Sequence, residues 1–137
     1  MRLIKGRALV SGEASGKVLA SDEPISFWGG YDQHSGEIID RRHPLSGKIA
    51  TGRVLAIPFS RGSSTTTAVL LEAIRAGTAP VGIITTGVDT FFALASIVAD
   101  EMYAKPIPVI ALEKEDFASL KDGQWLDICE DGTIIIE

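Results

Sequence analysis

The sequence predicts an α/β fold with a βαβαβ centre and β-rich ends, on three observations. Arg53–Ile57, Val81–Thr85 and Ile107–Leu112 are short, largely apolar runs of the kind that form buried strands. Between them lie two segments whose apolar residues recur at helical spacing. These are Val69, Leu70, Ala73 and Ile74 in the first, and Phe91, Leu94, Ala95, Val98, Ala99 and Met102 in the second. Outside this centre the chain reads as short strands separated by glycine-containing turns. Alternating strands and helices of this kind imply parallel pairing with right-handed crossovers.

In chain order, Arg2–Val10 reads as a first strand containing Gly6, and Lys17–Ala20 as a second. The turn-type residues Ser11–Gly16 between them predict a hairpin-like connection. Next comes an aromatic loop, in which Gly29-Gly30 after Trp28 marks a tight bend. Phe27, Trp28 and Tyr31 either wall a pocket there or anchor the loop. Glu37–Asp40 reads as another short strand, and His43, preceding Pro44, as extended. His34 and His43 are isolated histidines, which more often serve as hydrogen-bonded structural groups than as catalysts. Arg41-Arg42 reads as a solvated surface pair or as a steering element for an anion. The first central helix stops at Gly77, with Arg75 in its last turn, and the second is capped by Asp89 or Thr90. Glu113–Leu120 reads as a short helix. Trp125–Glu130 alternates as a half-buried strand, and Asp131-Gly132 signals a hairpin into Thr133–Glu137.

The chain has 137 residues, of which 45% are hydrophobic, enough for one domain with a real core. Its formal net charge of −5, with scattered Lys and Arg, argues against nucleic-acid binding, which usually needs a basic stripe. No apolar run approaches the roughly 18 residues of a membrane helix, and charges interrupt the N-terminus too often for a secretory core. A lone Cys129 makes no internal disulfide, which suits a reducing cytoplasm, and builds no cysteine-ligated metal site by itself. No metal site is expected on this chain.

The densest chemistry lies at the junction of the first central strand and helix, Ser60-Arg61-Gly62-Ser63-Ser64-Thr65-Thr66-Thr67. Amides that start a helix lack intrahelical partners and carry the positive end of its dipole. A glycine permits close backbone approach, and an arginine grips a carboxylate or phosphate with paired hydrogen bonds. Two readings stand side by side: a serine N-cap, and an anion-binding turn. It is not a P-loop, because no lysine follows Gly62 at the required place.

Several motifs occur in one order along nearly the whole chain: Ser26-Phe-Trp-Gly-Gly-Tyr-Asp32, Gly36-Glu-Ile-Ile-Asp40, His43-Pro-Leu45, Arg61-Gly-Ser-Ser64, Gly77-Thr-Ala-Pro80 and Ile107-Pro-Val109. In this combination the chain resembles the small, swivelling subunit of the aconitase X family. The resemblance implies a swivelling β/β/α domain spanning residues 1–137. It further implies a hydro-lyase in which a large partner chain carries an iron–sulfur cluster and this chain supplies an active-site serine. The Arg-Gly-Ser-Ser turn is similar to the Gly-Ser-Ser turn of ordinary aconitases, whose first serine is the base of the dehydration. Carried over, that role falls on Ser63, with Arg61, Gly62 and Ser64 binding the substrate carboxylate. Ordinary aconitases have an arginine after the two serines. Thr65 stands at that place here, and Arg61 precedes the turn instead.

Within the family the resemblance divides between cis-3-hydroxy-L-proline dehydratases of bacterial type and archaeal phosphomevalonate dehydratases. Glu72–Pro80 and Ile97–Tyr103 look closer to the bacterial type. Two readings of other classes remain. One is a phosphohistidine-type swivel domain, whose carrier histidine would fall near Phe91 or Phe92, where none is present. The other is a non-catalytic binding module of the same fold.

Overall fold

A computed structural model describes residues 1–61 and 64–137. The elements are β1 (Arg2–Lys5), β2 (Arg7–Val10), β3 (Ala14–Ala20), α1 (Phe27–Gly30), β4 (Val54–Ala56), α2 (Ser64–Ala76), β5 (Gly82–Thr86), α3 (Thr90–Tyr103), β6 (Val109–Leu112), α4 (Lys114–Ala118), β7 (Trp125–Ile128) and β8 (Thr133–Ile136). They form a mixed α/β fold with one eight-stranded sheet in the order β1-β8-β7-β3-β4-β5-β6-β2. Strands β3, β4, β5 and β6 pair in parallel, as the βαβαβ pattern requires. The remaining neighbours are antiparallel.

Period-2 alternation assigns each central strand two cores. Leu19, Leu55, Ile57, Ile83 and Val109 face the helices, where Val69, Leu70, Ala73 and Phe92 close over them. Val18, Val54, Ala56, Ile84, Ile110 and Leu112 face the other way and meet Ile4, Leu126, Ile128, Ile134 and Ile136 of the end strands. The central strands are thus buried on both faces, which is why they read as continuous apolar runs.

The expected first strand, Arg2–Val10, is two strands. β1 and β2 occupy opposite ends of the sheet order, yet only Gly6 separates them. Consecutive Cα atoms are 3.8 Å apart, so the sheet curls until its edges nearly meet. Gly6 makes that junction: its N–H donates to Gly132 O at 3.1 Å. A Cβ built there would run into Ile110 Cγ2 and lie 2.8 Å from Gly132 O and 3.0 Å from Leu112 Cδ2. Gly6→Ala is therefore expected to cost about 1–3 kcal/mol by overpacking. Urea unfolding should show a lower midpoint at unchanged slope; an unchanged midpoint would contradict this packing.

Other sequence readings shift. No β2–β3 hairpin forms, because β2 pairs with β6 while β3 lies between β7 and β4. Glu37–Asp40 makes only single bridges, Glu37 to Ile49 and Ile38 to Tyr31, and is no regular strand. The last hairpin turns one place early: Gly132 N–H donates to Cys129 O at 2.9 Å, which puts Glu130 and Asp131 at the centre of the turn. On α3 the buried face is Phe92, Ala95, Ser96 and Ala99, rotated from the expected set. Phe92 is drawn inward by edge-on packing on Phe27, at 5.2 Å between ring centroids.

Candidate active site

Three loops leave the carboxyl ends of adjacent parallel strands and gather on one side of the sheet. Ser21–Ser26 follows β3, Ile57–Arg61 follows β4, and Gly87–Asp89 follows β5. Their ladders extend past the strands: Ser21 N donates to Ala56 O at 3.0 Å, Ile57 N to Ile84 O at 3.1 Å and Thr86 N to Pro58 O at 3.1 Å. Pro58 has no N–H to give, but its carbonyl still serves the ladder. In open α/β sheets this end of the strands is where ligands bind.

Asp89 organises the arrangement. Its Oδ1 accepts from Phe91 N at 3.0 Å and Phe92 N at 3.1 Å, which makes it the N-cap of α3. Its Oδ2 accepts from Ser60 N at 2.7 Å and Ser60 Oγ at 2.8 Å. Both residues are buried. One carboxylate thus fixes the start of α3 and the residue that enters the serine turn. On its other side the turn is held by Arg61 N, which donates to Ile25 O at 2.9 Å, beside a parallel bridge between Ile25 and Ser60. Thr67 Oγ1 donates to Phe91 O at 3.0 Å and ties α2 to α3. The two helices start from adjacent βα loops, so both positive dipole ends face the same region.

Of the residues expected in the site, Arg61 is exposed at the end of this bracket and Ser64 is exposed at the start of α2. Gly62 and Ser63 lie outside the described residues. Thr66, in the first turn of α2, is buried, and its hydroxyl has no partner among the described residues. The sequence marked Asp89 only as a helix cap, and Ser60 only as one hydroxyl among several. Their pairing needs two βα loops brought side by side, which no local pattern reports.

The aromatic loop divides the two roles expected of it. Trp28 (φ −74°, ψ 109°) and Gly29 (φ 79°, ψ −6°) have the dihedrals of a type II turn, whose second central position favours glycine. Phe27 and Tyr31 anchor the loop: both are buried, and their rings stack at 4.7 Å. Trp28 projects into solvent. Tyr31 Oη donates to Thr78 O at 2.8 Å, and burial, helped by the Asp32 carboxylate, pushes its phenol pKa up, so it stays neutral. Asp32 accepts from His34 N at 2.8 Å, and that backbone bond lowers its pKa. Thr78 Oγ1 donates to Gln33 O at 2.6 Å, which places His34 beside the C-terminal end of α2, away from the serine turn.

His43 is a structural histidine. It is buried, with Nε2 bonded to Glu23 O at 3.0 Å and Nδ1 accepting from Leu45 N at 3.0 Å. Both ring nitrogens are occupied, as in a histidine that holds two loops together. Arg41 and Arg42 are exposed.

A model of the aconitase X swivel domain matches residues 3–136. The chain belongs to this family. The swivel domain is 45% identical over 128 residues to a cis-3-hydroxy-L-proline dehydratase of Pseudomonas aeruginosa, covering 93% of this chain and 22% of that protein. A phosphomevalonate dehydratase small subunit of Methanosarcina acetivorans is 35% identical over 126 residues, covering 91% of this chain and 83% of the relative. The chain spans about a fifth of the length of the cis-3-hydroxy-L-proline dehydratases it matches. Among solved structures, Thermococcus kodakaraensis aconitase X in its holo-form superposes with a TM-score of 0.88 at 29% identity, covering 100% of this chain and 99% of that one. Fold class and family thus agree with the sequence reading. No helix among the described residues is long and apolar enough to cross a membrane.

Proposed function

We propose that residues 1–137 form one swivel domain that acts as the small subunit of a dehydratase, closing over a large catalytic chain and delivering Ser63 as the base. The observation that carries this reading is the family match over residues 3–136, together with the position of Arg61 after β4 and of Ser64 at the start of α2. The substrate we favour is cis-3-hydroxy-L-proline, because the relatives of that name are 45% and 39% identical. Those named for phosphomevalonate are 32–36% identical, so that substrate is the alternative.

The chemistry follows from the residues. Dehydration requires removal of a proton α to a carboxylate and departure of a hydroxyl. Arg61 and the amides at the start of α2 would hold the carboxylate, with Ser64 alongside. Their positive field lowers the cost of an alkoxide on Ser63, which is otherwise a weak base. The iron–sulfur cluster of the family does not fit this chain. Cys129 is its sole cysteine, on the β7–β8 turn, and no group of three or more His, Cys, Asp or Glu side chains able to hold a metal occurs among the described residues. We therefore place the cluster on the large chain, and the assembly in the cytoplasm, in keeping with a solitary thiol.

The two other classes have less support. A phospho-carrier at the start of α3 would stand where Phe91 and Phe92 are, and His43 has no free ring nitrogen. The test is reconstitution. This chain combined with an aconitase X large chain should dehydrate cis-3-hydroxy-L-proline in preference to 5-phosphomevalonate, and neither chain alone should do so. A combined preparation inert toward both substrates would refute the reading.

A further inference from the structure

We infer that the outer face of α3, with Val88 just before it, is the surface on which the large chain of the proposed dehydratase docks; the inference rests on that functional reading. α3 is apolar on two faces. Its inner face packs on α2 and the sheet through Phe92, Ala95 and Ala99. On its outer face Leu94 is 51% exposed, Ile97 49% and Met102 60%, with Phe91 and Val98 half-buried and Val88 57% exposed before the cap. Phe91, Leu94, Val98 and Met102 follow at spacings of three and four, so they form one stripe about 16 Å long. A helix that is apolar all round is normally a buried helix. Within the stripe Thr90, Phe91, Ala93, Leu94 and Ile97 line a shallow hollow, able to receive a side chain from a facing surface.

Three observations name the occupant. The stripe begins at the candidate site, since Val88 and Phe91 flank the Asp89 that holds Ser60. Trp28, in the aromatic loop whose Phe27 packs on Phe92 of α3, and Phe59, in the loop after β4, are also exposed apolar side chains. The segment matching this chain makes up only 22% and 21% of two dehydratase relatives, so this fold is built to sit beside a polypeptide several times its size. Charge supplies the polarity. Asp100 and Glu101 are exposed in the last turn of α3, where no basic residue offsets the negative dipole end. The facing surface therefore carries an apolar groove with Lys or Arg at the Met102 end. A second copy fits less well, because it would bring a chain of net charge −5 against another.

The test is the affinity of this chain for an aconitase X large chain of the same organism, measured by surface plasmon resonance. Leu94→Glu/Ile97→Glu should weaken the complex at least about 100-fold, mainly through faster dissociation. Glutamate is a good helix former, so the free double variant should melt within a few degrees of the parent. Asp100→Lys/Glu101→Lys should weaken binding about tenfold, and Trp125→Glu, on β7 in the other half of the sheet, should leave it unchanged. An unchanged Kd for the Leu94/Ile97 variant overturns the inference. So does a parent chain that dimerises through this face, or one that binds no large chain at all. The two proposals fail separately: a complex that needs α3 but dehydrates nothing removes the function and leaves the interface, whereas an active complex indifferent to these variants does the opposite.

Discussion

Ser63→Ala in the assembled dehydratase is expected to lower kcat at least about 100-fold, the lower range for loss of a general acid–base group. KM should change much less. The carboxylate would still meet Arg61, whose backbone is pinned to Ile25, and the amides at the start of α2. A serine that only capped the helix behaves differently: its loss would cost roughly 1 kcal/mol of stability and leave turnover largely intact. Melting temperature and kcat on the same variant therefore separate the two readings left open by the sequence. Ser64→Ala is the internal control. Ser64 is exposed at the first position of α2, so its replacement should mainly raise KM, the pattern for a group that binds ground state and transition state alike. A Ser63→Ala enzyme with near-normal kcat would remove the catalytic assignment.

What the sequence could show follows from the range of the forces involved. Val54–Ala56, Gly82–Thr86 and Val109–Leu112 were legible as strands because both their faces are buried, and an uninterrupted apolar run has few other uses in a chain this size. The Gly77 stop and the Asp89 cap were legible because capping is settled within one helical turn. The split of Arg2–Val10 was not, because it depends on sheet closure, and Gly6 shows its necessity only against Ile110 and Gly132, more than a hundred residues away. The face of α3 was misread for a related reason. With apolar residues on two sides, periodicity alone cannot choose the inner one, and the choice falls to Phe27 packing on Phe92. At the candidate site, the chemistry-bearing turn was visible as composition, whereas its support by Ser60 and Asp89 joins residues on two loops.

That support makes Asp89 the residue whose loss should spread furthest through the domain. Asp89→Ala removes the acceptor for four hydrogen bonds: two that cap α3 and two that hold Ser60. Loss of the cap alone is worth about 1 kcal/mol, and the buried Ser60 N–H left without a partner adds about 1–3 kcal/mol. The desolvation saved by deleting a buried carboxylate offsets part of this, for a net loss of about 2 kcal/mol and a melting temperature lower by about 7 °C. Asp89→Asn separates the two functions. Asparagine caps helices about as well as aspartate, so its oxygen can keep Phe91 N and Phe92 N. Its amide nitrogen would then face Ser60 N–H donor to donor, so the backbone anchor is lost, while the Ser60 hydroxyl can turn to accept from the amide. Asp89→Asn should accordingly keep more of the stability than Asp89→Ala while lowering kcat about tenfold, because Ser60 sets the path of the chain into Arg61 and the serine turn. Ser60→Ala keeps the backbone bond to Asp89 and loses only the hydroxyl's, so it should lower kcat less than Asp89→Asn if the backbone anchor is what matters. Equal destabilisation by Asp89→Asn and Asp89→Ala, with unchanged turnover in both, would reduce Asp89 to a helix cap.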